Sequence, residues 1–139
     1  MSFCMFNKRN REFWANWHSW EHLLSFATRY DWTPQGTEYH ARWDDEDPTE
    51  WERGRKRWEG WYFCNDYQIV TAVDASAMAD AVARGLAVLP DQEPSEITEA
   101  EKANQSHENA EIRLFASVRG KAYLRDFIEF AREGAFKIC

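Results

Sequence analysis

The sequence lacks long hydrophobic runs, an excess of basic residues and a secretory leader. None of its 139 residues belongs to an apolar run approaching the ~18 residues of a membrane span. The opening letters MSFCMFNKRN contain no apolar stretch of the signal-peptide kind. The net charge is −7, and an acidic chain without a basic face makes few of the phosphate contacts that dominate nucleic-acid affinity. We therefore expect a cytoplasmic protein that binds neither membranes nor nucleic acid directly.

Cysteine is also scarce. Cys4, Cys64 and Cys139 are widely spaced and form no CxxC pair. An odd number of dispersed cysteines is typical of reduced thiols in a cytosolic protein, not of a disulfide framework. Cys64, with a distant histidine as base, is a candidate nucleophile, but a structural cysteine at a strand end is the more common case.

Familiar catalytic and metal-binding motifs are missing as well. The chain has no GxSxG, P-loop, GxGxxG, SxxK or HExxH. His18 and His22 are spaced to hold one metal ion, yet the sequence places no third ligand beside them. The acidic run 44–47 lacks the alternating ligands, central glycine and distal glutamate of a calcium loop. We expect no catalytic residue, no metal site and no cofactor, and an enzyme is disfavoured but not excluded.

What the chain has in quantity is apolar and aromatic residues. They make up 44% and 16% of the sequence, enough for one core in a single domain over 1–139. All eight tryptophans lie within the first 61 residues, so the aromatic residues concentrate in the N-terminal half.

Helical spacing of apolar residues is clear in three places. The first helix is predicted over 17–30, capped by Asn16 or Ser19 and followed by a turn. A capping box at Thr71 opens the second, which ends before Pro90. The third is predicted over about 121–133, with a glycine at its C′ position.

Strand signals are shorter. Residues 2–6 are predicted to form a strand or an ordered arm, and residues 136–138 a returning strand. Residues 61–70 are predicted to form a hairpin around an Asn-Asp turn. The polar stretch 90–110 is expected to be a loop followed by an exposed helix. The predicted fold is α+β: a helix-dominated single domain with a small antiparallel sheet that includes the hairpin at about 61–70.

The stretch WDDEDPTEWERGRKRWEGW, residues 43–61, combines charge with tryptophan. Asp47 and Pro48 are a helix N-cap and first position, so a helix is predicted over 48–59. Trp51 and Trp58 are two turns apart and share a face. Acid–base pairs three and four residues apart support such a helix only weakly, so packing must hold it.

Three blocks of the chain resemble an uncharacterised family of small bacterial cytosolic proteins. They are NWHSWEHLLSFATRYDWTPQGT, YFCNDYQIVTAVDASAMADAV and LRDFIEFAREGAFKI. They carry a Trp-x-Pro-x-Gly-Thr turn, a Tyr-Phe-x-Asn-Asp-x-Gln-x-Val-Thr step and a C-terminal Phe-Ile-x-Phe helix. The resemblance covers about half the chain and implies no activity or catalytic residues. The acidic helix 44–60 lies between the blocks and looks peculiar to this protein.

The leading functional hypothesis is a non-enzymatic protein-binding module of a bacterium or phage, like an immunity protein, antitoxin or inhibitor. Interface cores favour Trp and Arg, and the acidic balance favours a basic partner. The candidate partner-binding residues are Trp43, Trp51, Arg53, Arg55, Lys56, Arg57, Trp58 and Trp61. The sequence is equally compatible with all four of these tryptophans lying in the core.

Two further hypotheses stay open. The alternative is a small-molecule-binding or catalytic domain with an aromatic pocket. Its walls would be Trp17, Trp20, Trp32, Trp43 and Tyr62, with His18, His22 or Asp66 as polar groups. A weaker idea is mimicry of nucleic acid by the acids of 44–52 and 91–111.

Overall fold

A β-hairpin opens the fold. The computed structural model describes residues 2–35, 62–63, 68–103 and 106–139. Strands β1 (Ser2–Asn7) and β2 (Glu12–Asn16) are antiparallel. The turn between them is closed by the Asn7 side chain, which accepts hydrogen bonds from two backbone amides of the turn at 2.9 and 3.1 Å. The strand predicted over 2–6 is confirmed, whereas β2 was not predicted.

Two short strands complete the sheet. They are β3 (Gln68–Val70) and β4 (Phe136–Ile138), and the described strands run in the order β2-β1-β4-β3, all antiparallel. The strand predicted over 136–138 is confirmed. The hairpin predicted at about 61–70 is observed only in part: its predicted second arm forms β3, which pairs with β4. Tyr62 and Phe63 lie outside the strands, and the turn lies outside the described residues.

Several of the described helices begin at polar caps, of which those at Asn16 and Thr71 were predicted. Asn16, Thr71 and Ser117 each accept a hydrogen bond from a backbone amide three residues on. The helices are α1 (Trp17–Arg29), α2 (Ala72–Val88), α3 (Glu99–Ala103), α4 (His107–Phe115) and α5 (Val118–Arg132), with a 3-10 turn at Pro94–Glu96. Because Ser117 is the cap, α5 begins three residues earlier than predicted. Among the helices that the structure describes, none is long and apolar enough to cross a bilayer.

The core lies between one face of the sheet and helices α1, α2 and α5. Phe13 of β2 packs against Phe127 and Phe130 of α5, at ring distances of 5.2 and 5.7 Å. Phe136 of β4 contacts the same two rings. A fully buried side chain of this kind contributes about 1.5–3 kcal/mol, so these aromatic contacts hold helix and sheet together. The described residues thus form a helix-dominated α+β domain.

The polar stretch that follows α2 differs in part from its prediction. Most of the described side chains between Pro90 and Ser106 are exposed, as expected. From Ala110 onwards, however, α4 turns one face inwards, and Glu111 and Phe115 are almost fully buried. Glu111 forms an ion pair with Arg29 of α1, so this acid holds two helices together and does not face solvent.

Gly120 permits the close approach of α5 to the end of α4. A Cβ atom at this position would lie 2.5 Å from the carbonyl oxygen of Leu114 and 2.6 Å from Cα of Phe115. Both are backbone atoms, which cannot rotate away. Overpacking of this kind costs about 1–3 kcal/mol.

We predict that Gly120→Ala lowers the free energy of unfolding by about 2 kcal/mol, because the backbone overlap outweighs the gain in helix propensity. Chemical denaturation measures the change. Ala122→Ser, an exposed position of the same helix, is the control and should change stability by less than about 0.5 kcal/mol. A Gly120→Ala protein as stable as the parent would contradict the close contact.

Candidate functional site

The residues predicted to bind a partner all lie in the segment 36–61, hereafter the tryptophan segment. These residues, Trp43, Trp51, Arg53, Arg55, Lys56, Arg57, Trp58 and Trp61, fall outside the described residues, as does the helix predicted over 48–59. The structure does describe the residues on either side of the segment. The site is therefore built from Trp32–Gln35 before it and Tyr62–Phe63 after it.

Both flanks of the tryptophan segment are bound to one buried carboxylate. Asp74 lies in the first turn of α2 and is 1% exposed. Its Oδ2 accepts a hydrogen bond from the Tyr62 hydroxyl at 2.5 Å and another from the Gln35 backbone amide at 2.8 Å. The positive end of the α2 dipole also favours a carboxylate here. We call Asp74, Tyr62 and Gln35 the Asp74 anchor.

Aromatic packing reinforces the anchor. The rings of Trp32 and Tyr62 stack with centroids 6.2 Å apart, and Trp20 Nε1 donates a hydrogen bond to the Tyr62 carbonyl at 2.8 Å. All three side chains are buried in the main core. The sequence assigned them to the wall of a ligand pocket, but their described contacts are those of core residues.

Other tryptophans are exposed. Trp17, at the start of α1, is 45% exposed and meets Phe63 edge-on at 5.8 Å. Trp14 is 57% exposed and lies on the face of the sheet that points away from α1, α2 and α5. Its Nε1 donates a hydrogen bond to the Glu12 carboxylate. Trp17 and Phe63 thus form a partly exposed aromatic surface, and Phe63 lies two positions after the end of the tryptophan segment in sequence. This surface is a candidate contact site, because tryptophan is enriched in the centres of protein interfaces.

A shallow cleft opens next to this aromatic surface. It has a volume of about 250 Å³, and the described residues that line it are Glu21, Leu24, Ser25 and Phe63. A carboxylate and a hydroxyl from α1 thus face an aromatic ring. This combination suits a small ligand with a positive charge and an apolar body.

The two histidines are adjacent, as predicted. The rings of His18 and His22 lie 4.5 Å apart, edge to face, with His18 exposed and His22 buried. No group of three metal-ligating side chains occurs among the residues that the structure describes. His40, Cys64 and Asp66, the other candidates for polar chemistry, lie outside those residues.

The acidic residues after α2 serve local structure. Lys121 Nζ donates a hydrogen bond to Asp91 Oδ1 at 2.5 Å, and this hydrogen bond lowers the pKa of the Asp91 carboxyl. Glu93 accepts a hydrogen bond from the Val118 amide at 3.0 Å. Together with the ion pair of buried Glu111, these contacts give three acidic residues of 91–111 a structural role. That role does not require mimicry of nucleic acid.

In comparisons with protein-family models, with curated proteins and with solved structures, the chain matched none. The resemblance to an uncharacterised bacterial family therefore stays a prediction. The Asp74 anchor and the surface beside it were not predicted from the sequence. Only the capping box at Thr71 pointed to Asp74, and it gave no indication of the other two partners.

We predict that Asp74→Ala lowers the free energy of unfolding by about 2–4 kcal/mol, because the hydroxyl of Tyr62 and the amide of Gln35 lose their acceptor. Denaturation measures the loss. In Asp80→Ala, an exposed acid on the same helix whose ion pair with Arg132 is 3.5 Å long, the change should stay within about 0.5 kcal/mol.

A double-mutant cycle with Tyr62→Phe isolates the hydroxyl–carboxylate bond. The coupling energy should exceed about 1 kcal/mol. If the two substitutions were simply additive, the bond would not be the link between Tyr62 and α2.

Proposed function

We propose that this protein is a non-enzymatic protein-binding module, similar in kind to a bacterial immunity protein, antitoxin or inhibitor. The tryptophan segment supplies the contact residues. The observation that carries the proposal is the Asp74 anchor, in which one carboxylate oxygen accepts from both Gln35 and Tyr62. Gln35, which precedes the tryptophan segment, and Tyr62, which follows it, are therefore held at a single point of the domain.

Anchoring both flanks lowers the cost of binding. A chain segment whose two flanking residues are already held together has lost part of its conformational entropy before a partner arrives. Less conformational entropy is then lost on association, so the affinity is reduced less by this loss. The buried stack of Trp32 on Tyr62 stiffens the same point.

The composition of the tryptophan segment suits an interface. Trp and Arg are the residues most often responsible for binding energy at the centres of interfaces, and residues 51–61 hold three tryptophans and three arginines. Among the described residues, Trp17 and Phe63 form a further aromatic pair, with ring centroids 5.8 Å apart. The acids at 44–47 favour a partner with a basic surface, since opposite charge speeds encounter.

A second candidate function rests on the cleft beside Phe63. Glu21 and Ser25 provide polar groups one turn apart on α1, and Leu24 and Phe63 provide apolar walls. The cleft differs from the pocket predicted from the sequence, because Trp20, Trp32 and Tyr62 are core residues. Its volume of about 250 Å³ is just below the range of drug-sized sites, so the ligand class would be a small organic cation.

Replacing Arg53, Arg55, Lys56 and Arg57 together with alanine should leave the domain folded and weaken partner binding at least about 100-fold. Tagged protein captures partners from the native host, and mass spectrometry quantifies them. The captured partner is then purified and its affinity for each variant measured directly. Circular dichroism and thermal unfolding confirm that the variant is folded.

A matched control removes the same charge elsewhere. Lys102, Arg119, Arg125 and Arg132 are all exposed in the described helices, and their joint replacement with alanine should leave partner binding unchanged. Equal affinity for all three proteins, or no partner enriched by the parent protein, would contradict the proposed module.

The cleft is tested with a panel of small aromatic and aliphatic amines. If it is a ligand site, amide signals of Leu24 and Ser25 should shift on titration, and Glu21→Gln should weaken binding about tenfold through loss of the charge. Glu129→Gln, an exposed acid on α5, is the control. Shifts that are identical in the Glu21→Gln protein would exclude this cleft as the site.

A further inference from the structure

Two thiols face each other across the centre of the sheet. Cys4 lies in β1 and Cys139 directly follows β4. Their backbones exchange two hydrogen bonds, from Cys4 N to Cys139 O at 3.1 Å and from Cys139 N to Cys4 O at 2.8 Å. Such an antiparallel pair holds its Cα atoms about 5.5 Å apart, which is the usual separation across a disulfide.

The side chains of this pair share one face. Met5 and Ile138, the next cross-strand pair, are fully buried on the helix-covered face. Because successive strand residues alternate, both thiols point to the opposite face. There the Sγ of Cys139 lies 2.9 Å from the Cys4 carbonyl oxygen. Both cysteines are partly exposed, so a small reagent can reach them.

The two thiols are protonated at neutral pH. Burial raises the pKa of Cys139 to about 12, and contact with Cys4 and the charge of Glu12 add to the rise. Burial also raises the pKa of Cys4, although its contact with Cys139 partly opposes the change. The resting pair is therefore a dithiol, whose reaction proceeds through a small thiolate fraction.

We propose that Cys4 and Cys139 are a redox modification site that forms a reversible disulfide by exchange with a small-molecule disulfide, such as glutathione disulfide. One cysteine thiolate attacks a sulfur of the oxidant, whose S–S bond breaks and releases one glutathione. The second cysteine then attacks the protein sulfur of the mixed disulfide and releases the other glutathione. The two thiol protons end on the two glutathione thiols, and the two electrons reduce the oxidant.

The bond would join the two central strands of the sheet. It closes a ring from residue 4 to residue 139, which removes conformational freedom from the unfolded chain, and this stabilisation grows with ring size. The native pair needs little movement to react, since its backbone is already paired on both sides. The redox chemistry does not depend on the proposed partner binding.

The test uses the full chain in buffers of reduced and oxidised glutathione. Peptide mapping without reductant should recover a Cys4–Cys139 linked pair, with Cys64 left as a free thiol. The midpoint of thermal unfolding should rise by about 10 °C on oxidation and return to its starting value when dithiothreitol is added.

Single substitutions separate this site from general thiol oxidation. In Cys4→Ser and Cys139→Ser the redox-dependent rise in the unfolding midpoint should vanish, whereas in Cys64→Ser it should persist. Peptide mapping of the unsubstituted chain assigns the linkage even if a variant fails to fold. Stable glutathione adducts without the internal bond, or a bond from Cys64 to either residue, would overturn the proposal.

Discussion

The described fold depends on a carboxylate buried at the start of a helix. Removing Asp74 from water costs several kcal/mol unless hydrogen bonds replace its hydration. The Tyr62 hydroxyl, the Gln35 amide and the positive end of α2 provide that replacement. Because the carboxylate is stable only when these groups are present, it fixes Gln35, Tyr62 and the first turn of α2 at one point. Trp20 and Trp32 then pack around Tyr62 and exclude water from this point.

Local signals in the sequence predicted the described helices α1, α2 and α5 well, and long-range pairings poorly. The helix predicted over 48–59 lies outside the described residues. Caps such as Asn16 and Thr71 act within three residues, so the sequence displays both partners of each bond together. The bonds of Asp74 span 12 and 39 positions, and neither periodicity nor turn chemistry encodes such a distance. β2 was missed for a related reason: its five residues alternate correctly, with Phe13 and Ala15 inwards, but pass into α1 without a turn between them.

The tryptophans show that composition and spacing do not distinguish a buried side chain from an exposed one. Trp17 and Trp20 lie one turn apart on α1, yet Trp20 is fully buried and Trp17 is 45% exposed. What separates them is the position of β1, Phe63 and α5 around the helix, which only the tertiary fold decides. Trp32 shows the same ambiguity. The sequence allowed it to line a ligand pocket, but its ring stacks on Tyr62 in the core. For candidate sites made of aromatic residues, burial is the deciding quantity, and a single sequence does not supply it.

The acidic residues also differ in their roles. Several acids of the described chain are committed to structure: Asp74 in the anchor, Glu111 with Arg29, and Glu133 with Arg11 at 2.9 Å. Glu111 and Glu133 are neutralised locally by their arginines and contribute little to a field that a distant partner could sense. The run at 44–47 is different in sequence, because four acids stand together and the next base after them is Arg53. In the sequence, the longest uninterrupted acidic run therefore lies in the tryptophan segment.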